Sequence, residues 1–324
     1  MAKFDSLLQT LKPELTELNR IMKESLNANN ELMDQIIATY LKTKGKQIRP
    51  ILVILSAKML GEVNDHVLYA AAALEMLHNA SLIHDDVVDE TKLRRGVPTI
   101  NNTWDNHIAV LVGDFFVSTA LSVGIHTGRI SVLDALSELG KELSLGEIDQ
   151  ICNAQERHLN ETAYLSVIRK KTASLFMKCV QLGAETGDAR PEEIAPMVDY
   201  AELLGLCFQI KDDIFDYFED EKIGKPTGND LREGKVTLPL LYALNHGKGD
   251  DVKEINDLVQ RGDLSEEEIA RLIEFAKREG GIDYAYAKMH DMQRQADEII
   301  CRYLDNDARK AFRDIFEFII HRDK

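Results

Sequence analysis

The chain has 324 residues, with 39 Lys and Arg against 55 Asp and Glu, for a formal charge of −16. This acid excess argues against a general binder of nucleic acid or anionic membranes, both of which require a basic surface. Hydrophobic residues make up 44%, enough for a sizeable core, and the scattered Cys152, Cys179, Cys207 and Cys301 form no CxxC pair, which excludes a disulfide scaffold or zinc ribbon and fits a reducing cytoplasm.

The N-terminal MAKFDSLLQTLKPEL carries early charges and no apolar h-region, so no targeting segment is expected. Apolar residues then recur at three- and four-residue spacing almost throughout, Ala is abundant, and alternating β-branched runs are missing. The spacing predicts helices over 3–26, 29–42, 48–60, 65–90, 103–126, 130–153, 161–186, 191–218, 236–246, 250–260, 265–279, 281–305 and 307–321, and no strand. Ile108 to Ile125 is the most apolar stretch, but Asp114 breaks it and it falls short of a span of about 20 residues, so no integral membrane segment is expected. Pro191 with Glu192 and Glu193 suits a first helical turn, and Ser265 with Glu268 a capping box. Without repeats or low-complexity linkers, one all-helical domain over 1–324 is expected. Thr91–Asn102 and Glu219–Val236 break the pattern with charge, Gly and Pro, and the second is long enough to suggest a functional loop.

One constellation occurs twice. LIHDDVVDE supplies Asp85, Asp86 and Asp89; FQIKDDIFDY supplies Asp212, Asp213 and Asp216. On a helix, residues i and i+4 lie about 40° apart and i+1 about 100° away, so each triplet stacks two carboxylates with a third beside them. Like charges one turn apart at a helix C-terminus oppose both each other and the macrodipole. A cation resolves the conflict, and Mg²⁺ takes one or two hard carboxylates plus waters and substrate phosphates. Basic residues narrow the ligand: Lys46 and Arg49 before one helix, Arg94 and Arg95 after the first triplet, Lys170–Lys171–Thr172 inside an apolar helix, and Lys225 and Lys235 after the second triplet. Beside such carboxylates they suggest a diphosphate with bridging Mg²⁺. His78, seven residues before Asp85, lies within about 20° of the same face and could donate to a phosphate oxygen.

The two DDxxD motifs, the GKxxRP segment, the RRG, the KT pair and FQxxDD, in this order, resemble the trans-isoprenyl diphosphate synthase family, of long-chain type. The resemblance implies an all-α isoprenoid synthase fold, a single large helical bundle around a deep central cavity with the aspartates at its mouth. It implies Mg²⁺-dependent head-to-tail condensation of isopentenyl diphosphate onto an allylic diphosphate such as farnesyl or geranylgeranyl diphosphate, and a homodimer. By similarity, Asp85, Asp86, Asp89, Asp212, Asp213 and Asp216 hold three Mg²⁺; Arg94, Lys171, Thr172 and Gln209 match allylic-substrate positions, and Lys225 and Lys235 closing-loop lysines. Lys46, Arg49, His78 and Arg95 match isopentenyl diphosphate positions. The family's GGKRxRP reads Lys44-Gly45-Lys46-Gln47-Ile48-Arg49-Pro50 here, so loop geometry is expected to differ while both phosphate-contacting positions stay.

Ala80 and Ser81 stand five and four residues before Asp85, one turn beneath the carboxylates. Family members making short products block this place with aromatics, and none stands here, so the resemblance implies a product of about C40, with Phe115 and Phe116 as a possible floor. The alternatives are a short-chain synthase, a non-catalytic subunit of a heteromeric synthase, an HD-type metal phosphohydrolase using His84-Asp85 with His66 or His78, and a di-iron bundle using Glu75-x-x-His78. The last lacks a second ExxH.

Overall fold

The computed structural model describes residues 2–42, 45–94, 96–156, 159–218, 227–248 and 251–322. In chain order the helices are α1 (Ala2–Thr10), α2 (Lys12–Ser25), α3 (Glu31–Tyr40), α4 (Ile48–Leu60) and α5 (Asp65–Val88). After a two-strand hairpin come α6 (Ile100–Thr103), α7 (Asn106–Ile125), α8 (Ile130–Glu156), α9 (Glu161–Ile168), a π turn (Arg169–Ala173) and α10 (Ser174–Thr186). Then follow α11 (Pro191–Phe215), α12 (Asn229–Arg232), α13 (Leu238–His246), α14 (Val252–Arg261), α15 (Glu266–Arg278), α16 (Gly281–Ile300) and α17 (Asp307–His321). The architecture is all-α.

The chain forms two compact units. The first comprises Met1–Lys141, Leu175–Val198 and Tyr303–Asp314; the second comprises Glu142–Ser174, Asp199–Arg302 and Ile315–Lys324. In the first, α5 packs chiefly against α7 and also against α4 and α2. Ala70 to Ala73 are all fully buried, the mark of a helix covered on every side. The second unit has a core of Tyr217, Leu240, Ile255, Val259, Ile269, Leu272 and Phe275, contributed chiefly by the faces of α13, α14 and α15.

Cap chemistry sets several boundaries. Asn64 accepts from the Val67 amide to start α5, and Ser265 and Glu268 form the expected reciprocal capping box of α15. Four local features depart from the periodic pattern. Pro13 at the start of α2 separates it from α1, because its ring and missing N–H interrupt a continuous helix. Asp105 accepts from the Ile108 amide at 2.8 Å and begins α7 anew after α6. Leu93–Arg94 and Val97–Pro98 pair as a minimal antiparallel hairpin, with Gly96 at φ +76° in its turn, where a strandless loop is expected. The apolar 161–186 run contains the π turn, whose ladder runs from the Ser174 amide back to the Arg169 carbonyl.

Candidate active site

In the first unit the DDxxD motif sits at the end of α5. Asp85 and Asp86 occupy its last turn, and Asp89 is the C-cap residue, its amide donating to the Asp85 carbonyl at 2.8 Å. Glu90 then takes φ +50° and ends the helix. Asp86 is buried and accepts from Arg94 Nε at 2.8 Å. Burial works against the Arg94 charge, but the hydrogen bond and charge of Asp86, aided by Tyr40 and Asp85, hold its pKa above the ordinary arginine value. The Asn101 amide donates to the Asp86 carbonyl at 3.0 Å and to the Thr91 carbonyl at 3.2 Å, pinning the chain that follows.

Upstream on α5, His78 and Ala80 are buried, and half-buried Ser81 donates to the His78 carbonyl at 2.9 Å. Phe116 is fully buried and meets Tyr40 edge-on at 5.7 Å; Phe115 is half-buried. Lys46 and Arg49 flank the N-terminus of α4, with the Arg49 guanidinium 5.5 Å from the Phe176 ring centre. The N-terminus of a helix is also where backbone amides and the helix dipole favour an anion such as a phosphate. Gln47, where the family pattern has Arg, adopts φ +51° and donates to Asn19 at 3.2 Å. Arg95 lies outside the described residues, as does Lys225.

In the second unit each carboxylate of the second DDxxD motif has its own donors. Arg322 donates to Asp212 and to the Phe208 carbonyl, with its guanidinium 4.3 Å from the Phe208 ring centre. Asp213 accepts from Tyr164 at 2.6 Å and from Gln209 at 2.8 Å. Asp216 accepts from the Asn229 and Asp230 amides at 3.1 and 3.0 Å, capping α12 in place of Gly228. The second triplet is therefore no repeat of the first: the Asp216 amide bonds back to Asp213 at 3.2 Å, a tightened last turn, and its carboxylate turns to the returning loop. Thr172 donates to Gln209 at 2.7 Å. Lys171 pairs with Glu147 and donates to Gln150 at 3.3 Å, and Lys235 pairs with Glu233.

Burial raises the Asp213 carboxyl most. Hydrogen bonds from Tyr164 and Gln209 pull it down, the Asp212 and Asp216 charges push it up, and it comes to about 7. Desolvation, with the charges of Asp213 and Asp216, likewise pushes Asp230 well above the usual carboxylate range despite Lys235. Tyr164, Asp230 and Arg322 are site residues that sequence spacing misses, since each meets the motif from a distant segment. The donor set fits Mg²⁺: hard oxygens whose mutual repulsion a divalent cation would offset. Among the described residues no three His, Cys, Asp or Glu side chains gather as a preformed metal cage; Mg²⁺ itself takes one or two carboxylates and fills its shell with waters and substrate phosphates. His66 and His84 stand eighteen residues apart on α5, or about 27 Å, too far to serve one HD-type centre.

Residues 30–276 match the family model described as Polyprenyl synthetase. The chain belongs to the polyprenyl synthetase family. It is thus a prenyltransferase with an isoprenoid synthase fold, and the phosphohydrolase and di-iron readings fall away. Among this family's members, the octaprenyl diphosphate synthase of Escherichia coli K12 is 38% identical over 251 residues, covering 77% of each chain. A short chain isoprenyl diphosphate synthase of Methanothermobacter thermautotrophicus is 36% identical over 291 residues, covering 86% of this chain and 87% of that one. A polyprenyl synthase from Caulobacter crescentus CB15, solved with calcium and isoprenyl diphosphate, superposes with a TM-score of 0.91 at 30% identity over 98% of both chains.

Proposed function

We propose that this prenyltransferase condenses isopentenyl diphosphate head-to-tail onto an allylic diphosphate, with Mg²⁺, to give a long all-trans product of about C40, the length named in the octaprenyl relative. The observation that carries the reading is the pair of DDxxD motifs at the ends of α5 and α11, in a chain of this family. Asp85, Asp86, Asp89, Asp212, Asp213 and Asp216 would hold three Mg²⁺ ions on the allylic diphosphate. Bound there, Mg²⁺ would neutralise the charge that develops as the diphosphate leaves.

The chain's own residues do the rest. Lys171 and Arg94 add fixed positive charge for the leaving group, preorganised by Glu147 and Asp86. Lys46 and Arg49, at the N-terminus of α4, receive the diphosphate of isopentenyl diphosphate, with His78 and Arg95 beside them in role. Apolar surroundings exclude water from the allylic cation, which would otherwise be quenched. The alkene of isopentenyl diphosphate attacks, a new C–C bond forms, and loss of a proton to the departed diphosphate restores a double bond. Asp85→Ala and Asp212→Ala should each lower turnover by several orders of magnitude; a mild effect on product formation would remove the metal assignment.

The short-chain relative at 36% identity favours a second reading, a shorter product. The small Ala80 and Ser81 beneath the first motif support the longer one. Ser81→Phe is expected to shorten the product ladder on a reversed-phase plate, and an unchanged ladder would place the chain-length determinant elsewhere. Exposed Val110, Leu111, Leu121 and Ile125 along α7 support a homodimer, and four free thiols a cytoplasmic location.

A further inference from the structure

We propose that Tyr164 is a positioning residue for this reaction, its phenol and the π turn together fixing the buried carboxylate of Asp213 for diphosphate binding, which rests on the functional reading above. No motif of the sequence includes Tyr164. It lies in α9 with 9% exposure, and its hydroxyl donates to Asp213 Oδ2 at 2.6 Å. Gln209 Nε2 donates to the other oxygen at 2.8 Å. Each carboxylate oxygen thus carries one of these protein donors and retains a further lone pair. Thr172 Oγ1 donates to Gln209 Oε1 at 2.7 Å, which fixes the amide with its nitrogen toward Asp213. An ionised carboxylate is an acceptor only, so the phenol must keep its proton and donate. Burial first, then the Asp213 charge, raises the Tyr164 pKa well above that of a free phenol.

The backbone explains how both ends of this relay reach one carboxylate. Gln209 and Asp213 stand four apart on α11 and share a face. Tyr164 and Thr172 stand eight apart, which in an uninterrupted α-helix places them about 80° from each other. The π turn over Arg169–Ala173, in which Thr172 lies, winds the chain more slowly than an α-helix and so turns Thr172 back from that direction toward the face of Tyr164. Without that turn, one donor or the other would leave the Gln209–Asp213 face. A phenylalanine would fill the same volume, so packing alone does not call for the hydroxyl. It would also leave a carboxylate of 5% exposure with one donor fewer beside the charges of Asp212 and Asp216.

The test is Tyr164→Phe in the full chain, with circular-dichroism melting to establish that folded proteins are compared. Affinity for inorganic diphosphate in Mg²⁺, measured calorimetrically, is expected to fall about tenfold or more, the usual range for a lost hydrogen bond to a charged group. The KM for the allylic substrate should rise or kcat fall, while the KM for isopentenyl diphosphate stays unchanged, a split that general destabilisation does not produce. Tyr164→Phe combined with Asp213→Asn should bind no more weakly than Asp213→Asn alone. Wild-type affinity in Tyr164→Phe, or fully additive losses in the double variant, would overturn the proposal. A wild-type protein that makes no prenyl product would instead bring down the functional reading, and this proposal with it.

Discussion

Burial and the charges of Asp212 and Asp216 bring the Asp213 carboxyl to about 7, although Tyr164 and Gln209 both donate to it. In the unfolded chain this group returns to its ordinary value of 3.8. Between those values the folded chain holds the extra proton, so the stability of the metal-free protein falls as pH rises from about 4 to about 7. Asp213→Asn removes the charge and should flatten that slope. In chelator at pH 8 its Tm is expected to exceed that of wild type, while its turnover collapses; a lower Tm would contradict the assignment. At this scale the DDxxD spacing makes the carboxylates legible in the sequence. Arg322 and Tyr164 are not legible, because they meet Asp212 and Asp213 across 110 and 49 positions and no local pattern records such a pairing.

The long helices are readable from apolar spacing because burial of one face imposes it, and α5, α8 and α16 begin where the spacing begins. The π turn is not readable. One inserted residue in an apolar run leaves the composition unchanged, and only contacts from neighbouring helices select it. Gly146 on α8 shows how close those contacts are: a Cβ there would stand 2.9 Å from the Lys171 backbone nitrogen and 3.1 Å from Lys170 Cβ. Backbone has little room to yield, so Gly146→Ala should cost about 1–3 kcal/mol in denaturant unfolding and lower kcat by displacing Lys171 and Thr172. Unchanged unfolding and kcat would show that the turn tolerates displacement. The minimal hairpin at Leu93–Pro98 escapes a periodicity reading because two residues per strand are too few to alternate.

At the scale of the whole molecule, a charge of −16 argues against general binding of nucleic acid or anionic surfaces, yet it leaves room for a small polyanion. Six of the 55 acidic residues belong to the two DDxxD motifs, and a divalent cation on such carboxylates converts acidity into affinity for diphosphate. Family membership fixes the reaction class as prenyl transfer; substrate, metal and chain length follow from the proposal. The most direct test is incubation of the purified protein with farnesyl diphosphate, isopentenyl diphosphate and Mg²⁺, followed by product analysis. The account predicts a ladder ending near C40 that disappears on chelation. No prenyl product from the protein alone, or a ladder that survives chelation, would contradict it.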